Sequence, residues 1–116
     1  LNSKRRDMSN AYLFLAAAIV AEVIGTSALK LSAGMTNLAW TAVVVASYGV
    51  AFWLMSLTMK TLPVGFVYAV WAGVGIVLIK AIGVVFFDEA LSLRSVVGIL
   101  FIAVGVVLLQ LEKSTA

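Results

Sequence analysis

Four apolar runs, each about 20 residues long, constrain this chain more than any other feature of its sequence. An apolar helix of about 20 residues is the length that crosses the hydrocarbon core of a bilayer. The runs lie at residues 11–31, 38–59, 64–87 and 93–111, and the segments between them are only a few residues long. The sequence therefore predicts an all-α membrane protein whose protomer has four transmembrane helices.

The composition supports a membrane protein and excludes several classes of function. Of the 116 residues, 64% are hydrophobic and 11% are charged, and the mean hydropathy is +1.17. A water-soluble domain of this size would expose much of that apolar surface. The chain has neither cysteine nor histidine, the usual ligands of zinc and haem. We therefore expect no metal, no cofactor and no enzymatic activity. The net charge of +3 reflects membrane topology, so no nucleic-acid partner is expected.

The basic residues bear on how the chain inserts into the membrane. Residues 1–7 are predicted to be a basic N-terminal extension or sequence that precedes a true start at Met8, and residues 8–116 to be one four-helix transmembrane domain. With four spans, both chain ends and the second loop share one side of the membrane. That side carries Lys4, Arg5, Arg6, Lys60 and Lys113, against Lys30 and Arg94 on the other. Without residues 1–7 the two sides are balanced, and a balanced chain can insert in both orientations, which would permit an antiparallel dimer.

Glu22 lies at the middle of the first run, where a carboxylate is costly unless it meets a cation, a proton or water. Ala18, Ile19, Gly25 and Thr26 lie one turn away on either side. The position predicts that Glu22 is the functional centre. The alternative is a packing residue hydrogen-bonded to a neighbouring helix, which a Gln would serve as well. Two copies of the chain could place two Glu22 side chains at one cavity, where they would hold protons or a cation in turn.

Aromatic residues in the second and third runs are the predicted neighbours of Glu22. Tyr68 and Trp71 are three residues apart and so share one face of a helix. An aromatic cage beside a carboxylate suits an organic cation, through cation–π attraction and charge pairing. Tyr48, Phe52 and Trp53 in the second run are candidates to complete the cage.

Glycines in the third and fourth runs have two predicted roles. Gly73 and Gly75 would let the third helix bend or pack closely, which makes them a candidate hinge. Gly98 and Gly105 are two helical turns apart and form a strip of small residues where another helix can approach. The strip is a predicted dimer interface, and packing within one protomer is the alternative.

Three further charges fall near the third run. Lys80 lies inside the run, about 180° around the helix from Trp71. We expect its long side chain to reach toward the lipid headgroups instead of pairing with Glu22. Asp88 and Glu89 are expected to be solvated loop charges.

Three blocks of sequence resemble the small multidrug resistance transporters. They are Ala-Glu-Val-Ile-Gly-Thr at 21–26 with Leu-Lys at 29–30, Leu-Pro-Val-Gly at 62–65 followed by Tyr-Ala-Val-Trp-Ala-Gly-Val-Gly at 68–75, and the pair Gly98 and Gly105. The resemblance covers about residues 8–111. It implies an antiparallel dimer of four-helix protomers in a bacterial inner membrane, which exchanges protons for lipophilic organic cations by alternating access.

The same resemblance implies roles for individual residues. Glu22 would bind protons and substrate in turn. The substrate chamber would be lined by Tyr48, Tyr68 and Trp71, with Ala18, Ile19, Gly25 and Thr26 on the carboxylate face. Gly98 and Gly105 would lie in the dimerising fourth helix. Lys80 departs from the family pattern, which usually has a small polar or an apolar residue at this position.

The sequence at 22–26 resembles the quaternary-ammonium branch of these transporters, because the guanidinium-exporting branch usually has a Trp where Gly25 stands. Three alternatives stay open from the sequence. The cargo could be guanidinium-like or another small natural cation, the chain could be one subunit of a heterodimer, or it could be a structural membrane subunit that transports nothing.

Overall fold

The computed structural model describes residues 2–115 of the chain, and the side chains of residues 5–112, as four helices. These are α1 (Asn2–Leu31), α2 (Leu38–Thr58), α3 (Val64–Phe86) and α4 (Leu93–Thr115). Each is long and apolar enough to cross a membrane. The prediction of an all-α membrane protein with four spans is therefore confirmed. Leu1 and Ala116 lie outside the described residues. So do the side chains of Lys4 and Lys113, two of the basic residues that were counted in the charge balance.

α1 provides the centre of the packed core. Ala11, Leu15, Ile19 and Val23 are all buried and lie four residues apart, so they form one continuous stripe along the helix. The stripe packs against buried residues of the other elements, namely Met55 of α2, Leu62 of the second loop, and Phe66 and Val67 of α3. These contacts hold α1 against both α2 and α3.

Short loops join the helices, and local hydrogen bonds define where the helices begin. The Asn37 side chain accepts a hydrogen bond from the backbone N–H of Trp40 at 3.1 Å, which caps α2. The Ser92 hydroxyl accepts one from the backbone N–H of Ser95 at 3.1 Å, at the start of α4. Pro63 precedes the first residue of α3, where its missing N–H costs nothing.

The loop between α3 and α4 folds back over the end of α3. Asp88 has a φ of 57°, in the left-handed region, and so reverses the direction of the chain. The backbone N–H of Glu89 then donates to the carbonyl of Gly83 at 3.0 Å. This turn returns Glu89 to the side of α3.

α4 is the least buried helix of the protomer. It packs on α3, yet none of its described side chains is buried. The two helices come close together at Gly73, where a Cβ would lie 2.8 Å from Val106 Cγ2. Gly98 and Gly105 are different, because a Cβ at either would meet no atom within 4 Å. The predicted strip of small residues is therefore uncovered in this protomer, whereas Gly73 serves the close packing of α4 on α3, and its role as a hinge stays a prediction.

We expect Gly73→Ala to destabilise the protein relative to Gly49→Ala. Both changes give a helix the same gain in intrinsic propensity, but a Cβ at Gly49 meets nothing within 4 Å, whereas one at Gly73 overlaps Val106. Overpacking of this kind costs about 1–3 kcal/mol. Reversible unfolding in mixed detergent micelles measures the difference, and equal stability of the two variants would contradict the assigned packing.

Candidate functional site

A cavity of about 520 Å³ lies between α1 and α3. Its walls combine carboxylate, hydroxyl, ammonium and aromatic groups with small apolar residues. The lining consists of Glu22 and Thr26 from α1, Tyr68, Trp71, Ala72, Gly75, Ile76, Ile79 and Lys80 from α3, and Glu89 from the following loop. The fold thus brings the carboxylate of the first run to the aromatic pair of the third.

The two carboxylate oxygens of Glu22 have different surroundings. Oε1 accepts a hydrogen bond from the Thr26 hydroxyl at 3.1 Å. The hydroxyls of Thr26 and Tyr48 are themselves 2.5 Å apart. A hydroxyl has a single proton to donate, so Tyr48 donates to Thr26 while Thr26 donates to Glu22. A hydrogen-bonded chain therefore runs from α2 through Thr26 to the carboxylate.

Oε2 of Glu22 is buried and has no hydrogen-bond partner among the described residues. α3 passes close to this oxygen at Gly75, where a Cβ would lie 3.7 Å from Oε2, an ordinary van der Waals distance. A buried polar atom without a partner is costly, and more so when it carries charge. The free oxygen is therefore the place in the cavity where a proton or a cation gains most.

Four aromatic rings form a connected series from α2 to α3. Tyr48 stacks on Phe52 with ring centroids 6.3 Å apart, and the edge-to-face pairs Phe52–Trp71 and Tyr68–Trp71 follow at 6.0 and 6.1 Å. Tyr68 and Phe52 remain 62% and 57% exposed, so their faces are accessible in the protomer. Trp53 makes no ring contact in the described part of the chain and is exposed, which separates it from the expected cage.

Three residues expected on the carboxylate face pack within the protomer and do not line the cavity. Ala18 and Ile19 are buried, and Ile19 belongs to the core stripe of α1. A Cβ at Gly25 would lie 3.2 Å from Ser47 Cβ and 3.3 Å from the ring of Tyr48. The absence of a side chain at Gly25 therefore admits α2, and with it the Tyr48 hydroxyl, at a position that the family resemblance assigns to the carboxylate face of the chamber.

Lys80 and Glu89 are placed differently from the sequence expectation. Lys80 is half buried and lines the same cavity as Glu22 and Trp71, instead of occupying an opposite face of α3. Lys80 follows Ile76 by four residues, so the two share one side of α3, and both line the cavity. Lys80 forms no ion pair with Glu22 among the described side chains. Glu89 is exposed, as expected of a loop charge, but it also lines the cavity.

Three apolar residues of α3 line the cavity without having been predicted from the sequence, namely Ala72, Ile76 and Ile79. A signal for them is present, because Ala72 and Ile76 follow Tyr68 at intervals of four residues, and Ile79 follows Gly75 in the same way. An apolar residue at such a position does not show whether it faces lipid, a neighbouring helix or a cavity. Only the packing of α3 against α1 distinguishes these outcomes.

Comparison with known proteins gives matches over most of the chain. The family described as Small Multidrug Resistance protein matches residues 10–102. The quaternary ammonium compound-resistance protein QacE of Escherichia coli is 51% identical over 106 residues, which are 90% of this chain and 96% of that protein. The quaternary ammonium compound-resistance protein QacF of Klebsiella aerogenes is 50% identical over 86% of this chain and 91% of its own length. The multidrug transporter EmrE of Escherichia coli K12 is 43% identical over 91% of this chain and 97% of its own length.

We expect Thr26→Val and Tyr48→Phe to be coupled in their effects on stability. Each substitution removes one hydroxyl of the hydrogen-bonded series that ends at Glu22. Either one alone breaks the hydrogen bond between Thr26 and Tyr48, so the second substitution costs less than it would in wild type. The coupling free energy should be about 0.5–1.5 kcal/mol, the net value of one hydrogen bond. A double-mutant cycle on unfolding in mixed micelles measures it.

Ser27→Ala is the control for this cycle. The Ser27 hydroxyl bonds to the carbonyl of Val23 in its own helix and not to Tyr48. Its effect should add to that of Tyr48→Phe without coupling. Additive effects of Thr26→Val and Tyr48→Phe would contradict the hydrogen-bonded chain.

Proposed function

Because the chain belongs to the Small Multidrug Resistance family, we propose that it is a proton-coupled antiporter that exports lipophilic organic cations, such as quaternary ammonium compounds and cationic dyes. The observation that carries the proposal is Glu22, whose buried Oε2 lacks a hydrogen-bond partner among the described residues and whose side chain lines a cavity together with Tyr68 and Trp71. The relatives named for quaternary ammonium resistance support the same class of cargo.

Exchange follows from competition for one carboxylate. A proton and an organic cation neutralise the same charge on Glu22, so binding of either displaces the other. An ionised carboxylate without a partner is costly in a low-dielectric interior. The protein therefore changes its accessible side with Glu22 either protonated or paired with a cation. Protons that enter down their gradient in this way drive cations out by alternating access.

The aromatic rings favour large cations over small hydrated ones. Tyr68 and Trp71 attract a cation through their ring faces, by about 0.5–2 kcal/mol for each good contact. A lipophilic cation also gains about 25 cal/mol for each Å² of apolar surface that it buries, a gain that guanidinium largely lacks. Gly25 contributes indirectly, since it lets Tyr48 reach Thr26.

The functional unit in this proposal is an antiparallel homodimer in the cytoplasmic membrane of a bacterium. Uncovered Gly98 and Gly105 on α4 offer a surface for close helix packing. A balance of Lys and Arg on the two sides of residues 8–116 would allow insertion in both orientations. Two copies would then contribute their Glu22 carboxylates to one chamber. A heterodimer with a homologous chain would use the same surfaces.

Proton release on ligand addition tests the proposal most directly. Adding benzyltrimethylammonium to the detergent-solubilised protein should release protons in wild type and none in Glu22→Gln, which keeps the shape of the side chain but cannot ionise. In liposomes, the Gln variant should lose cation uptake driven by a pH gradient. Glu22→Asp should retain part of the exchange, with a shifted pH optimum.

Two results would contradict the proposal. Uptake by Glu22→Gln at the wild-type rate would remove Glu22 from the mechanism. Absence of both binding and proton release in wild type, with the protein folded, would favour a structural subunit. Size-exclusion chromatography and circular dichroism establish that each variant keeps its fold and oligomeric state.

Trp71→Leu should weaken binding of aromatic quaternary ammonium compounds about ten- to thirtyfold, because it keeps apolar bulk and removes the ring that attracts a cation. Trp53→Leu is the matched control, since Trp53 is exposed and lies outside the ring series. Calorimetric dissociation constants for several such ligands provide the measurement. Equal constants for wild type and Trp71→Leu would assign Trp71 to packing.

A further inference from the structure

The proposed exchange uses Glu22 and the aromatic rings and leaves one charge of the cavity without a role. Lys80 is half buried, lies within the α3 span and lines the cavity with Glu22. It forms no ion pair among the described side chains. An ammonium held at membrane depth is costly unless an anion accompanies it, and a fixed cation in a pocket for cations repels a simple cationic ligand.

Gly75 and Lys80 show where Glu22 and the ammonium stand relative to α3. Gly75 is opposite Oε2 of Glu22, and Lys80 follows five residues later. At 1.5 Å per residue, the Cα of Lys80 lies about 7.5 Å further along the helix axis. The cavity is therefore lined by the Glu22 carboxylate beside Gly75 and by Lys80 further along α3, with Ile76 and Ile79 also in its wall.

Glu89 is the protein's own anion on the Lys80 side of the cavity. The folded-back loop places its carboxylate over Gly83, where a Cβ would overlap it. Gly83 is three residues after Lys80, which is about one helical turn. Glu89 is exposed and therefore hydrated, so it offsets the Lys80 charge only in part. A carboxylate delivered deeper in the cavity would meet an ammonium that is not fully neutralised.

We propose that Lys80 is an anion-binding group of the substrate cavity, and that the cavity accepts zwitterions that carry a quaternary ammonium and a carboxylate on one rigid skeleton. The cationic end binds at Glu22 and the aromatic rings. The anionic end binds Lys80. This inference rests on the proposed function, because it takes Glu22 to be the site of the cation.

A matched pair of ligands tests the proposal. Benzyltrimethylammonium and its para-carboxylated derivative share the cationic end and differ only in one carboxylate on the opposite side of the ring. Calorimetry at one pH gives both dissociation constants for wild type, Lys80→Met and Lys80→Arg. We expect Lys80→Met to weaken binding of the carboxylated ligand about tenfold and to leave the simple cation unchanged or more tightly bound. Lys80→Arg should restore binding of the carboxylated ligand.

Glu89→Gln extends the test without altering Lys80. Removal of the competing carboxylate should strengthen binding of the carboxylated ligand, and weaker binding would count against the proposal. Equal changes for both ligands in Lys80→Met, or no change for either, would overturn it and leave Lys80 as a packing or headgroup-directed residue. Circular dichroism and size-exclusion chromatography confirm that the variants compared are folded.

The outcome for wild type separates this inference from the proposed function. Binding of benzyltrimethylammonium with proton release, combined with equal effects of Lys80→Met on both ligands, would overturn the role of Lys80 alone. Failure of wild type to bind either ligand would overturn the proposed function as well.

Discussion

The unsatisfied oxygen of Glu22 is the constraint around which the rest of the cavity is arranged. One carboxylate oxygen is held by Thr26, and Thr26 is held by Tyr48 of the neighbouring helix. The other oxygen is buried and without a partner among the described residues, although such an atom costs about 1–3 kcal/mol when neutral and more when charged. A glycine supports this arrangement. Gly25 admits α2, because a Cβ there would lie only 3.2 Å from Ser47 Cβ and 3.3 Å from the Tyr48 ring, whereas Gly75 of α3 faces the unpaired oxygen at an ordinary contact distance.

The packing of α3 and its following loop against α1 also determines which charged residues share the cavity. Glu22, Lys80 and Glu89 line one space, yet none of them pairs with another among the described side chains. Glu89 is exposed and hydrated, whereas Glu22 and Lys80 are partly buried, so a bound ligand can supply the opposite charge that these two residues lack. A simple cation satisfies Glu22 and adds to the positive charge near Lys80. A ligand with charges of both signs satisfies both residues, and its length decides whether it does so at the same time.

The sequence predicts the helices well because a bilayer imposes a strict relation between apolar length and span. Both ends of α2 and α3 fall within one residue of the predicted runs. The pairing of Glu22 with Tyr68 and Trp71 also follows from residue type and helical spacing. The face of each helix that meets a given neighbour does not follow from the sequence. Helical spacing does not determine whether Gly25 faces a ligand or Tyr48, nor does it show that Ile19 belongs to the core or that the stem of Lys80 reaches the cavity. Each depends on which helix packs against which face.

The buried stripe of α1 has a consequence for movement. Leu15, Ile19 and Val23 hold α1 in the core, while Glu22 and Thr26 occupy the adjacent side of the same helix. Rotation of α1 would withdraw several large apolar side chains from their contacts, at a cost that resembles core truncation. α4 has no buried side chain to lose among its described residues. Resistance to rearrangement is therefore unequal within the protomer. In the described protomer, the helix that carries the carboxylate is therefore held in place, whereas α4 can meet another helix without first giving up any buried side chain.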